Sequence, residues 1–185
     1  MGEWTMVKAA DGFEMEAWRA MPRTKPKAGL VVLHEIFGVN PYIREKAEFW
    51  AEQGYAVLAP RFWDRLERGV ELDYVKADAT RARRSFSLVV DRELAVRDLG
   101  AIADGLREWG KVGAMGYSWG GTTIWMAAGR INLDCAVGYY AGTRKYSRMD
   151  TRFPVQIHLA GRDRRLEQAD VDFLKDEHQI GRAHV

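Results

Sequence analysis

Cysteine is nearly absent: Cys135 is the one thiol in 185 residues. A single thiol closes no internal disulfide and builds no cysteine-rich metal site. Beside Ala136 and Val137 it reads as a buried small apolar residue, and the expected compartment is the reducing cytoplasm. An excess of charge of one sign is lacking too. Lys and Arg total 28 against 26 for Asp and Glu, a net charge of +2, and the signs are interspersed, so no nucleic-acid partner is expected. Long apolar runs are missing: stretches such as Gly29–Leu33 fall far short of the roughly 20 residues that cross a bilayer. Nor does the N-terminus carry a basic-then-apolar leader. A membrane partner is therefore not expected. Without G-x-G-x-x-G, or a Lys after the glycine-rich turn, no phosphate loop is read; no cofactor and no metal is expected. Repeats and long linkers are also lacking. Residues 1–179 are expected to form a single domain, with a monomer the simplest oligomeric state.

What the chain does have is a core. Apolar residues make up 47% of it, enough for one α/β unit at this length. Asp11-Gly12 is a hairpin turn between two alternating segments over residues 3–21. The continuous apolar run Ala28–Leu33 reads as a strand buried on both faces. Pro41 opens a helix that runs to Gln53, with Ile43, Ala47 and Trp50 on one side and Gly54 as its stop. Tyr55–Pro60 is the next strand. Residues 61–89 are charged and read as a long loop with one or two helices. Leu94, Leu99, Ile102, Ala103 and Leu106 recur at helical spacing between Asp91 and Trp109. Strands over Lys111–Tyr117, Leu133–Tyr140 and Phe153–Ala160, and helices over Gly120–Gly129 and Glu167–Glu177, complete an α/β pattern. It predicts a mostly parallel sheet with helices on both faces.

Within that pattern, Gly116-Tyr117-Ser118-Trp119-Gly120-Gly121 stands between a strand and a helix. G-x-S-x-G in that context is a nucleophile elbow. The turn is tight enough to push the serine oxygen over the end of the sheet, and side chains at Gly116 and Gly120 would strike neighbouring backbone. The Trp119 N–H then faces a developing oxyanion at a helix N-terminus. The plainer reading is a glycine turn used only for close helix–strand packing. A serine nucleophile on this fold takes an acid and then a histidine later in the chain. Asp163, in Gly161-Arg162-Asp163 just past a strand, suits the acid, though an aspartate there also serves as a turn or helix cap.

No histidine has the context of the base. His34 ends a strand, His158 lies within one, His178 falls at the end of the last helix and His184 near the terminus. Ile180–Val185 can be encoded by ATC GGA AGA GCA CAC GTC, which matches a common sequencing-library adapter, whose preceding AG a CAG codon for Gln179 would supply. Residues 180–185 are therefore expected to be a non-native tail. The last strand and helix of the fold, and the histidine with them, are expected to be missing, and the chain as it stands is expected to be inactive.

With these residues in place, the sequence resembles the dienelactone hydrolase (carboxymethylenebutenolidase) family of α/β-hydrolases. The resemblance rests on His34-Glu-Ile-Phe-Gly-Val-Asn40 with Arg44-Glu45, Gly54-Tyr55-Ala56 with Pro60, and Gly116-Tyr-Ser-Trp-Gly-Gly121. Ala136-Val-Gly-Tyr-Tyr140 and Gly161-Arg-Asp163 follow in order. It implies an α/β-hydrolase fold and hydrolysis of ester or lactone bonds in small molecules through an acyl-enzyme. It also implies Ser118 as nucleophile, Asp163 as triad acid, and Glu35 as a carboxylate beside the nucleophile that helps to switch it on. Ile36 and Trp119 would supply the oxyanion N–H groups. Arg81 would hold a substrate carboxylate, although Arg81-Ala82-Arg83-Arg84 reads equally as a solvated helix face. One departure bears on mechanism. The family's nucleophile position usually carries Cys, and a serine hydroxyl, unlike a thiol, relies on general-base help during attack. The competing expectations are a catalytically inactive member of the fold that binds a ligand or partner, and a nucleotide-binding doubly wound domain.

Overall fold

A computed structural model describes residues 2–143, 151–163, 169, 171, 172 and 174. Its framework is a seven-stranded sheet in the order β1-β2-β4-β3-β5-β6-β7. The hairpin β1 (Glu3–Lys8) and β2 (Glu14–Ala20) turns at Gly12, where φ is 87°. That left-handed angle suits glycine, and the Asp11 carboxylate accepts from the Phe13 N–H at 3.0 Å. β2 pairs antiparallel with β4 (Tyr55–Pro60), while β3 (Ala28–Leu33), β4, β5 (Val112–Tyr117), β6 (Cys135–Tyr139) and β7 (Val155–His158) run parallel.

The run read as a two-face strand is one. Val31, Val32 and Leu33 are fully buried, with Val31 and Leu33 in one core cluster and Val32 in the other. Helix α1 (Pro41–Glu52) covers one face. The Asn40 side chain caps it by accepting from the Ile43 N–H at 3.2 Å, and Gly54, at φ 96°, turns the chain into β4. Its buried stripe is Ile43, Ala47 and Ala51; Trp50, expected in that stripe, is only half-buried.

The opposite face takes α3 (Arg92–Gly105) and α4 (Trp119–Ala127). The Asp91 carboxylate caps α3 by accepting from the Glu93 and Leu94 N–H groups. The helix expected to reach Trp109 stops at Gly105, where Leu106 N–H tightens onto Ala103 C=O, and a separate 3₁₀ turn spans Arg107–Trp109. Residues 61–89 hold a 3₁₀ turn (Phe62–Arg65), helix α2 (Lys76–Ala82) and a π-helical turn (Arg83–Ser87) that buries Phe86 against Trp63.

Cys135 corrects one expectation: it is exposed. It opens β6 opposite Gly113. Its sulfur lies over the glycine there, about where a Cβ would come within 3.3 Å. The helix expected over 167–177 falls mostly outside the described residues, and the tail over 180–185 falls wholly outside them. Among the described residues no helix is long and apolar enough to cross a membrane, and no cluster of His, Cys, Asp and Glu could hold a metal ion.

Candidate active site

From β3 the chain passes through α1 to β4 on one side; from β4 it returns through α3 to β5 on the other. The strand order therefore reverses between β3 and β5. In open α/β sheets a crevice opens at the carboxyl ends of such a pair. Glu35 stands two residues past β3, Ser118 one residue past β5 and Asp163 five residues past β7. Because these strands run parallel, all three residues sit at the same edge of the sheet.

Ser118 has φ 49° and ψ −107°, a backbone state that L side chains rarely adopt. Such strain costs of order 1–3 kcal/mol and persists only where the surroundings impose it. Close backbone packing, which two glycines permit, imposes it here. A Cβ on Gly116 would lie 2.5 Å from the Gly120 carbonyl carbon, and one on Gly120 would lie 2.7 Å from the carbonyl oxygens of Leu33 and His34. The elbow is thus pressed against the end of β3. The Ser118 N–H donates to Tyr139 C=O at 2.9 Å, and its side chain makes no capping bond to α4. Trp119 is the first residue of that helix. Ile36 lies in the turn after β3, held by the Trp63 indole N–H, which donates to its carbonyl at 3.2 Å.

His34 is fully buried beneath this turn. Its ring stacks on Trp119, with centroids 5.5 Å apart and planes 10° from parallel, and packs edge-on against Trp63. A carbonyl only accepts, so the 2.6 Å contact with Glu35 C=O places the proton on Nδ1. Burial pushes its pKa down to about 4, against the partly offsetting bond to Glu35 C=O. A neutral histidine locked in the core fits structure rather than proton transfer. His158 ends β7 with its ring stacked on Tyr139 at 4.7 Å. His178 and His184 lie outside the described residues.

Glu35 is held by groups its own sequence neighbourhood does not contain. Tyr74 Oη donates to Oε2 at 2.8 Å and Tyr140 Oη donates to Oε1 at 3.0 Å. Burial first, with Glu35 contributing, raises the Tyr74 and Tyr140 phenol pKa values well above the usual range. Tyr140 also has a left-handed φ of 42°. Its place in the Ala136–Tyr140 motif hinted at it; nothing in the charged stretch around Tyr74 did. Asp163 is half-buried, its N–H donating to Ala160 C=O at 3.0 Å. Arg81 lies on α2, exposed and ion-paired with Glu67 at 2.6 Å. A cavity of about 410 Å³ lies between Tyr42, Lys46 and Trp50 of α1, Tyr117 and Tyr139 of the sheet, and Tyr140 just past β6.

A serine on a strained strand-to-helix turn, at the switch point of a mostly parallel sheet flanked by helices, defines the α/β-hydrolase fold. Solved structures agree. One described as a candidate dienelactone hydrolase from Klebsiella pneumoniae superposes with a TM-score of 0.81 at 23% identity, over 96% of this chain and 79% of that one. A dienelactone hydrolase-like promiscuous phosphotriesterase from metagenomic libraries gives 0.70 at 21% identity, over 95% and 76%. The chain belongs to the dienelactone hydrolase family, whose sequence profile matches residues 15–184. It is 32% identical over 170 residues to the carboxymethylenebutenolidase of Pseudomonas putida, covering 87% of this chain and 71% of that enzyme. Carboxymethylenebutenolidase 1 of Cupriavidus pinatubonensis is 30% identical over 139 residues, 72% and 59% of the two chains.

Proposed function

We propose that this protein hydrolyses ester or lactone bonds in small molecules, with Ser118 as the nucleophile of an acyl-enzyme mechanism. The observation that carries the reading is the backbone of Ser118, strained at φ 49° and ψ −107° on the turn where the strand order reverses. Ser118 Oγ attacks the carbonyl carbon. The oxygen gathers negative charge facing the N–H groups of Ile36 and Trp119, and the latter sits at the start of α4, where the helix dipole favours an anion. The alkoxide leaves with a proton, and water then attacks the acyl-enzyme and releases the acid. Asp163 would orient a histidine that takes the Ser118 proton and passes it to the leaving oxygen. Neither histidine among the described residues fills that place, and without such a base the 185-residue chain is expected to be essentially inactive. Glu35 supplies a carboxylate beside the nucleophile. A serine hydroxyl needs a general base, and that base is neither His34, neutral and buried, nor His158, stacked on Tyr139. Arg81, exposed on α2 and ion-paired with Glu67, would exchange that partner to hold a substrate carboxylate, where there is one.

The test is hydrolysis of short-chain aryl esters and lactones by the chain and by Ser118→Ala, Asp163→Asn and His178→Ala. Loss of turnover in Ser118→Ala supports the nucleophile; unchanged turnover overturns it. A rate that falls with His178→Ala assigns the base to that residue. A rate only about 10³–10⁴ above water, untouched by His178→Ala, shows oxyanion stabilisation and binding working without a histidine.

A further inference from the structure

We infer that Tyr74 and Tyr140 form a two-phenol clasp that fixes the Glu35 carboxylate at the mouth of the site, with Tyr74 as a positioning residue carried by the segment 70–74. The inference rests on the role proposed for Glu35. The two phenols approach different oxygens of one carboxylate, Tyr74 on Oε2 at 2.8 Å and Tyr140 on Oε1 at 3.0 Å. A carboxylate gripped at both oxygens cannot turn about its last torsion without losing a bond, so the pair sets its plane as well as its place. Bonds to a charged acceptor are the stronger kind.

Both phenols are themselves held. Tyr140 sits at φ 42°, with its N–H donating to His158 C=O at 2.8 Å, one residue past the carbonyl that accepts from Ser118 N–H. Carboxylate and nucleophile are thereby referred to the same turn. The segment before Tyr74 is strapped to the loop that carries Glu35. Leu72 N–H donates to Phe37 C=O at 3.0 Å, Glu71 bridges to Gly38, and the Tyr74 ring packs 4.6 Å from that of Phe37. The Glu71 carboxylate is pinned by Arg61 at 2.6 Å and Arg44 at 2.7 Å. Arg61 is itself 7% exposed and lies 3.7 Å over the Trp4 ring. This arrangement keeps the Tyr74 hydroxyl at the site although the residue is itself exposed.

The experiment uses ¹³C-carboxyl-labelled Glu and NMR, with the Glu35 signal assigned by its disappearance in Glu35→Gln. Tyr74→Phe and Tyr140→Phe, which keep each ring and remove only its hydroxyl, should each move that signal and leave the other glutamate signals in place. In parallel, kcat/KM for an aryl ester should fall about tenfold in Tyr74→Phe, the scale of one hydrogen bond to a charge. It should fall no further when Tyr74→Phe is added to Glu35→Gln, since a residue acting through Glu35 has nothing left to act on. A Glu35 signal unmoved in Tyr74→Phe, or full additivity of the two substitutions, overturns the clasp. A signal that moves while neither Glu35→Gln nor Tyr74→Phe alters hydrolysis leaves the clasp standing and instead removes Glu35 from the catalytic reading.

Discussion

Ser118 and Glu35 stand at the ends of adjacent strands, yet opposite means hold them. Ser118 is set by its own neighbours in sequence: a strand before it, a helix after it, and glycines at 116 and 120 that let the turn close on itself and on β3. Glu35 is aimed by phenols 39 and 105 residues away. The first arrangement is backbone geometry and fails all at once. The second is a set of side-chain bonds, each removable by itself. The difference predicts how substitutions at the two places divide between folding and function.

The largest effect belongs to the elbow glycines. Adding a methyl at Gly116 puts a carbon 2.5 Å from the Gly120 carbonyl carbon, and at Gly120 puts one 2.7 Å from two carbonyls of β3. Backbone cannot step aside as a flexible side chain can. Gly116→Ala and Gly120→Ala should each cost about 4 kcal/mol or more, the range of severe overpacking and strain. Urea unfolding checks this. Tyr140→Phe, by contrast, should lower stability by only about 1 kcal/mol. Near-native midpoints in both glycine variants would show that the elbow is not set locally, and the contrast would break.

His34 touches the neighbourhood of each, stacked on Trp119, the residue after Ser118, and bonded to Glu35 C=O, and its effect comes next. Its pKa is about 4 in the folded chain against 6.5 for the exposed side chain. The unfolded state therefore binds its proton first as pH falls. The stability that neutral His34 provides is complete above about pH 6.5 and is lost as pH drops through that window toward 4, an effect of about 3 kcal/mol. Unfolding free energies between pH 8 and 4.5 should show the decline, and His34→Gln should flatten it. An equal slope in the variant would remove the histidine from the acid response.

These contrasts also explain what could be read from the chain before its fold. β3 and β4 match the apolar runs residue for residue, because a strand buried on both faces admits little else. Ser118 was legible because a turn that tolerates no Cβ writes its glycines into the sequence. Glu35 and Ile36 were visible only through the likeness of His34–Asn40 to a family. Tyr74 was not visible at all. A phenol that reaches across 39 residues leaves no periodicity behind, and the charged stretch that carries it keeps its own logic in side-chain pairs such as Arg61 with Glu71. Cys135 was misread for a similar reason. Its apolar neighbours predicted burial, whereas its place at the first residue of β6 leaves it exposed.

The smallest effect tests the local half of the contrast most directly. Ser118 holds a backbone state costing of order 1–3 kcal/mol for any residue with a Cβ and little for glycine. Ser118→Ala keeps the Cβ and hence the strain, so its stability should stay within about 0.5 kcal/mol of the parent. Ser118→Gly releases the strain but gains freedom in the unfolded chain, a penalty of roughly 0.5–1 kcal/mol. The balance should leave Ser118→Gly about 1 kcal/mol more stable than Ser118→Ala, with both lacking the hydroxyl and so equally without nucleophilic turnover. Thermal unfolding of the two variants at one pH compares them on equal chemical terms. If glycine is no better than alanine, the φ of 49° is not a strained state of that residue, and Ser118 would then depend on distant supports as Glu35 does.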